Sequence, residues 1–464
     1  MINLVQMPVS IKFGALVSLI AYLVAIFTYV VIFRLVFPDL GHTSGMMAEH
    51  DSIFFHEVAL SLAKRVEEQG WGAWQLNYER QPVAGVLGAF YSAFGSSILV
   101  WSVAQSLLYG IAAGLLHHVI RNVAPISKSS GVGLLLVLFL PSAAMIYIPP
   151  HNDIFVLAGY MMMTMGWWVI AREAQAGSGG WKALLRLAIG ASWIFIGAMI
   201  ARIFREFTAD IFLAIGLLMT LMVTVLAFNR GIRRSTAWMT VSTPVVAAVL
   251  ILVFSLLAFD RATFSVASPQ QTPQTIDAQR DLESDTDRAD SAAWFWAETE
   301  WMPSFIDNQF RQLSQARQRI TVIDGHARSA VDIGVNFHSA SEVVAYIPRA
   351  IQLAILSPLP NQWWPHSEAS FARNFQRVLA GAEMVIVYPM LFGLLFAIWT
   401  WRDRLALWCL IIPASVWLTV YGLAVPVAGS LIRWRYPAYV SILAIGMLGL
   451  FYFFSQRKER NRLE

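Results

Sequence analysis

The chain has 464 residues, 57% of them apolar and only 13% charged, with a formal net charge of +4 and a mean hydropathy of +0.57. Soluble domains carry about 25% charged residues, so this sequence has too little polar surface for water. Its basic surplus sits in short connections between apolar runs, which argues against a nucleic-acid partner. The single cysteine, Cys409, excludes a disulfide framework or a CxxC metal or redox site within one chain.

Apolar runs of roughly 20 residues recur along the sequence, each long enough to cross a bilayer of about 30 Å. Backbone groups in lipid must be satisfied internally, and runs of this length do so as helices. The expected fold is therefore all-α and polytopic. About ten spans are expected, near 13–37, 97–119, 132–148, 154–171, 183–201, 208–228, 238–259, 383–400, 405–425 and 437–455. The first run is too long for a signal-peptide core and is expected to stay as an uncleaved anchor.

Three blocks follow. Residues 1–259 form an N-terminal membrane module, 260–382 an external segment, and 383–464 a C-terminal membrane module with a cytoplasmic tail. With both termini inside, the short inner connections hold fifteen basic residues against four outside: Arg202, Arg205, Arg433 and Arg435. The expected location is an inner (plasma) membrane of bacterial type, with the large loops outside.

Two soluble pieces lie outside in this scheme. In the first, about 38–96, Phe55, Val58, Ala59, Leu62 and Val66 fall on one stripe of an amphipathic helix. The apolar stretch at 82–94 is too short to span and is expected as an interfacial or half-inserted helix. The second piece opens with a polar, acidic linker and closes with VVAYIPRAIQLAILSPLPNQWWP. That stretch, interrupted by Pro348 and Arg349, is expected to lie in the interface with Trp363 and Trp364 at headgroup level. No internal repeat is visible, and no helix broken at mid-membrane is expected.

Four polar clusters then face the same way: EHDS after the first span, PPHND at 149–153, REF at 205–207 and RWRYP at 433–437. A carboxylate at bilayer mid-depth costs about 2.5–3.5 kcal/mol; at the mouth of a cavity it costs far less. An anchor span, an outward loop opening on Asp51, a Pro-led half-helix (ERQPVAGVLGAFYSAFG), two spans, a second outward Asp153 and an Arg-Pro element before the last span stand in that order. The layout resembles the GT-C superfamily of membrane glycosyltransferases, of the protein-mannosyltransferase or aminoarabinose-transferase type. It covers most of residues 10–210 and 380–455. Where many relatives carry an acidic pair or Lys-Pro-Pro, this chain has His50–Asp51 and Arg80–Gln81–Pro82.

The resemblance implies sugar transfer from a polyprenyl-phosphate carrier to a glycan, lipid or protein acceptor outside the cytoplasm, with inversion at the anomeric centre. Asp51 is then the base and Asp153 its orienting partner, or the two together hold a divalent metal. Each is equally placed to cap the helix it precedes. Arg433 and Arg435 suit phosphate, or anchor the last span at the interface. Arg202 and Arg205, at i and i+3, suit the donor phosphate, or Arg202 pairs with Glu206. Arg80 is a further phosphate candidate, and His50, His56 and His151 are isolated possible ligands. The rival readings are an O-antigen or exopolysaccharide polymerase or ligase, and a transporter or flippase of lipid-linked sugars.

Overall fold

A computed structural model describes residues 7–38, 41, 46, 51–176, 180–234, 295–324, 329–365 and 371–463. His50, the expected span at 238–259 and the linker beginning at 260 lie outside these residues. The described chain is helical, with one isolated antiparallel bridge between Ala330 and Val427. Eight of its helices are long and apolar enough to cross a bilayer, and a ninth if one bent pair counts as a single span.

The chain separates into two compact units. The first comprises 1–262, 364–415 and 436–464, and the second 263–363 and 416–435. The facing ends of the last two helices thus belong to the second unit, whereas the sequence placed them wholly in a C-terminal membrane module.

In the first unit, α1 (Met7–Phe27) passes into a π-helical stretch, Thr28–Val36. It is followed by α2 (Asp51–Gln69), α3 (Pro82–Phe94), α4 (Ile98–Ile120), α5 (Lys128–Leu138), α6 (Pro141–Tyr147), α7 (Asp153–Ala176), α8 (Trp181–Phe204) and α9 (Thr208–Arg234). The amphipathic helix is where its stripe put it: Phe55, Val58, Ala59, Leu62 and Val66 of α2 are all buried. Leu62 packs on Gly88 of α3, where any Cβ would come within 2.8 Å of its side chain. Burying such a leucine is worth about 1.5–3 kcal/mol.

Lipid tails give no hydrophobic drive between spans, so small residues let the backbones approach. A Cβ on Gly159 of α7 would sit 2.4 Å from the carbonyl of Gly197 in α8. The same closeness joins Gly14 of α1 to Gly110 of α4.

The expected straight span at 132–148 is instead two helices, α5 and α6, bent by 61° at Phe139–Leu140. Pro141 has no N–H and restricts the residue before it, so the ladder stops there and restarts. The break falls about 16 Å from the start of α5. Side chains from other helices take up the backbone groups it frees. Tyr109 donates to Leu138 O at 2.5 Å. Glu383, on α12 (Phe371–Trp401), accepts from both the N–H and the hydroxyl of Ser142 at 2.6 Å, at the start of α6. A carboxylate at that end also complements the helix dipole.

The second unit holds α10 (Ser304–Asp324), α11 (Ala340–Leu356) and the facing ends of α13 (Leu405–Ala424) and α14 (Ala428–Leu463). Phe337, Val343, Ala350 and Leu423 form its core. The helix expected around Pro348 is present as α11, which runs through the proline at the loss of one backbone bond.

Candidate functional site

The site is built where α6 ends and α7 begins. After Tyr147 the chain turns through Ile148–Asn152, and Pro149–Pro150 forbid a continuing helix. The free carbonyls in this corner are held from outside. Tyr29, in the π-helical stretch after α1, donates to Ile148 O, and Gln105 of α4 donates to Pro149 O at 2.5 Å. The carbonyl of Asn152 accepts the first helical bonds, from Phe155 and Val156, so Asn152 occupies the capping position and Asp153 is the first helical residue.

Asp153 is 1% exposed. Oδ2 lies 2.9 Å from His151 Nδ1, and Oδ1 lies 2.5 Å from Arg205 Nη2. The other ring nitrogen, His151 Nε2, faces Asp51 Oδ2 at 3.6 Å, an ion-pair distance rather than a hydrogen bond. Four residues from three separate helix ends thus form one line: Asp51, His151, Asp153, Arg205. Only its first member reaches solvent, the Asp51 side chain being 59% exposed against 5% for His151.

The geometry fixes the imidazole. Its Nδ1 accepts from the backbone N–H of Asp153 at 3.4 Å and lies 2.9 Å from the Asp153 carboxylate, so the ring is held against the start of α7. Phe55 of α2 stands edge-on to the ring, at 5.4 Å between centroids, and holds its plane. A carboxylate as buried as Asp153 costs several kcal/mol unless paired and hydrogen-bonded; Arg205 donates to it at 2.5 Å, and His151 stands within ion-pair distance.

Arg205 reaches this position because α8 stops at Phe204. Arg205 is the capping residue, with extended backbone angles (φ −158°, ψ 94°), so it leaves the helix face it was expected to share with Arg202. Phe204 stacks on Phe155 of α7 at 3.8 Å and anchors the turn. The helix end also removes the i, i+4 geometry expected for Arg202 and Glu206. Glu206 is exposed, and Arg202 acts electrostatically on Asp210 instead.

The remaining candidates are not part of this line. Arg80 is exposed, in a turn where both Glu79 and Arg80 have positive φ, 50° and 60°. Such angles cost non-glycine residues of order 1–3 kcal/mol. That turn is tied to α3 by the Trp74 indole, which donates to Gly85 O at 2.9 Å. His56 is not a ligand candidate in this arrangement: its Nδ1 pairs with the Tyr91 hydroxyl at 2.6 Å.

Arg433 and Arg435 belong to the second unit. Arg435 is 2% exposed and donates to Ala354 O at 2.7 Å, capping the end of α11. That is a packing role in place of the phosphate contact expected for it. Arg433 is half-buried.

A metal shared by Asp51 and Asp153 does not fit these residues. The His151 ring stands between the two carboxylates, and the oxygens of Asp153 face the imidazole and the guanidinium. Among the described residues no group of three His, Cys, Asp or Glu side chains is arranged to hold a metal ion.

Sequence reasoning missed Gln105, Tyr29 and Glu383 as supports. Glu383 carried a usable signal, a lone carboxylate at the head of an apolar run. Asn152 Oδ1, a buried acceptor with no hydrogen-bond partner, also lies within this corner.

Comparison with family models, with curated proteins and with solved structures returns no match.

Proposed function

We propose that the protein is an integral-membrane glycosyltransferase that moves a sugar from a polyprenyl-phosphate carrier to an acceptor hydroxyl. The observation that carries this reading is the line from exposed Asp51 through His151 to buried Asp153 and Arg205. The acceptor oxygen attacks the anomeric carbon from the face opposite the phosphate. The carbon–oxygen bond to phosphate breaks, its electron pair leaves with the polyprenyl phosphate, and the hydroxyl proton passes to Asp51. General-base help of this kind is worth typically about 10²–10⁴-fold.

His151 and Asp153 hold Asp51's surroundings fixed while its charge changes, much as a buried carboxylate holds a catalytic imidazole. Arg205, committed to Asp153, positions that pair and is not itself the phosphate clamp. The phosphate contact falls to Arg80 and Arg202. In this reading about ten helices span the membrane, the site faces outward, and the acceptor is a glycan, lipid or protein.

The test uses the full chain in proteoliposomes with polyprenyl phosphates carrying radiolabelled glucose, galactose, mannose or aminoarabinose. Transfer to an added acceptor, lost in Asp51→Asn while the labelled donor still binds, supports the reading. No release of polyprenyl phosphate from any donor would overturn it.

One observation favours a second reading. Broken helices are a device of transporters, and α5–α6 is a bent pair. Movement of the intact labelled lipid across the vesicle bilayer, without sugar release, would select a flippase.

A further inference from the structure

At the opposite end of the same helices a second polar cluster stands apart from the site. From Asp153 to Arg172 α7 rises about 28 Å, close to the roughly 30 Å thickness of the hydrocarbon layer. The cluster therefore lies at the other headgroup level, where the basic connections gather. It draws on His118 of α4, Arg121 just beyond that helix, and Arg172 of α7.

Trp168 organises it. The His118 ring meets the indole edge-on at 5.3 Å, and the Arg172 guanidinium lies 5.2 Å from the indole centroid. Both Arg121 and Arg172 are near enough for their charges to act on His118, and Arg121 acts on His117 as well. The neighbouring carboxylate, Glu173, gives one oxygen to Arg186 Nε at 2.7 Å and the other to its Nη2 at 3.3 Å.

Positive residues placed only to orient a membrane chain stay in water. Here His118 is 5% exposed, and its Nε2 is buried with no hydrogen-bond partner. Arg121 Nη1 is buried and likewise unpartnered. Unpaired buried donors cost about 1–3 kcal/mol each, more when charged. Two of them beside a second guanidinium make a cradle with excess positive charge, matched by an oxyanion rather than by more hydrocarbon.

We propose that His118, Arg121 and Arg172 bind a phosphate group at this end of the bundle, as the headgroup of an anionic lipid or as free phosphate. A guanidinium fork suits phosphate oxygens in paired contacts, and basic recesses between spans on the cytoplasmic side take anionic headgroups. The inference does not rest on the glycosyltransferase reading; it needs only that α4 and α7 span the bilayer.

Delipidated full-length protein in neutral detergent is titrated with phosphatidylglycerol and, separately, with inorganic phosphate against chloride of equal ionic strength. Melting temperature and native mass spectra are the readouts. Phosphatidylglycerol alone raising the melting temperature, with one lipid retained, identifies a headgroup site; a rise with inorganic phosphate as well identifies an oxyanion site open to soluble phosphate. Arg121→Gln should weaken the effective ligand by about tenfold or more. Arg404→Gln, an exposed basic residue elsewhere, should not. If Arg121→Gln does not fold, Arg121→Lys keeps the charge, removes the fork, and should still weaken binding. Equal response in wild type and a folded Arg121 variant overturns the proposal, as does no preference for either phosphate over chloride.

Discussion

Two networks in this molecule pair an aspartate with arginine, and they end differently. In the first unit Asp153 is held by Arg205 and His151, and the line runs on to a carboxylate open to solvent, Asp51. In the second unit Asp332 receives two donors from Arg349, at 2.8 and 3.1 Å, and one from the Tyr346 hydroxyl at 2.7 Å. There the line closes. Arg317, 1% exposed, bonds the carbonyls of Asp332, Val335 and Leu423 and packs between Phe337 and Tyr346. The second network turns its donors on its own carboxylate and carbonyls and fixes a fold, its exposed edge being an arginine bonded to Asp332 and Gln352. The first ends on a carboxylate open to solvent, placed where a substrate can reach it. The difference lies in where each line stops, not in the residue types.

The largest expected effect breaks that comparison if it fails. Asp51→Asn should lower sugar transfer by about 10²–10⁴-fold while leaving the melting temperature nearly unchanged, because the side chain is exposed. Initial rates in proteoliposomes beside a thermal melt decide it; full activity in Asp51→Asn would reduce the first network to a structural pin. Arg205→Ala should do both kinds of damage. It leaves a buried carboxylate without its guanidinium, a loss of about 3–5 kcal/mol, and it frees His151. Arg205→Lys restores charge without the planar fork, so it should recover stability more than rate. Equal recovery of both would mean that orientation of His151 does not matter.

Arg317→Ala sharpens the other side. Three carbonyls lose their donor, at about 1–3 kcal/mol each when buried, offset in part by relaxation. Hydrogen exchange across 332–337 should rise sharply, while residues of α7 in the first unit keep their protection. Exchange rising equally in both would contradict the division into two units.

How much of this could be read from residues alone follows the same divide. The α2 stripe was legible because burial on one face imposes a 3.6-residue period, and all five stripe residues are buried. The expected spans were legible because bilayer thickness sets a length; eight of them have a corresponding apolar helix among the described residues, and the one at 132–148 is a bent pair. The break in α5–α6 was not foreseen, although Pro141 stood in the run, since a proline in a membrane helix kinks or breaks it according to whether neighbours re-satisfy the backbone. Tyr109 and Glu383, distant in sequence, settle that here.

Within the site, Asp51, Asp153, His151 and Arg205 were each singled out from the sequence, but their pairing was not. Arg205 was assigned to phosphate because nothing local indicates that α8 would stop one residue before it. Arg435 misled for the converse reason: its partner, the Ala354 carbonyl, is 81 residues away.

The smallest expected effect is on pH dependence in the second unit. The hydrogen bonds from Arg349 hold the Asp332 carboxyl below its ordinary value of 3.8, against the opposing pull of partial burial. A carboxylate lowered in the folded state contributes stability above its unfolded value, and that contribution is lost as pH falls through the lowered one. Burial first, and then the bond to Asp332, pushes the Tyr346 hydroxyl up to about 12 from 10.0. Its contribution is complete below 10.0 and disappears as pH rises through about 12. The unit should therefore be flat in stability across neutral pH and weaken at both ends. Because Asp332 and Arg349 are partly exposed, the acid limb should amount to about 1 kcal/mol or less. Protection factors for 332–337, corrected for intrinsic exchange, measure it. Asp332→Asn should erase the acid limb and leave the alkaline one; an acid limb unchanged in that variant would assign it to another carboxylate.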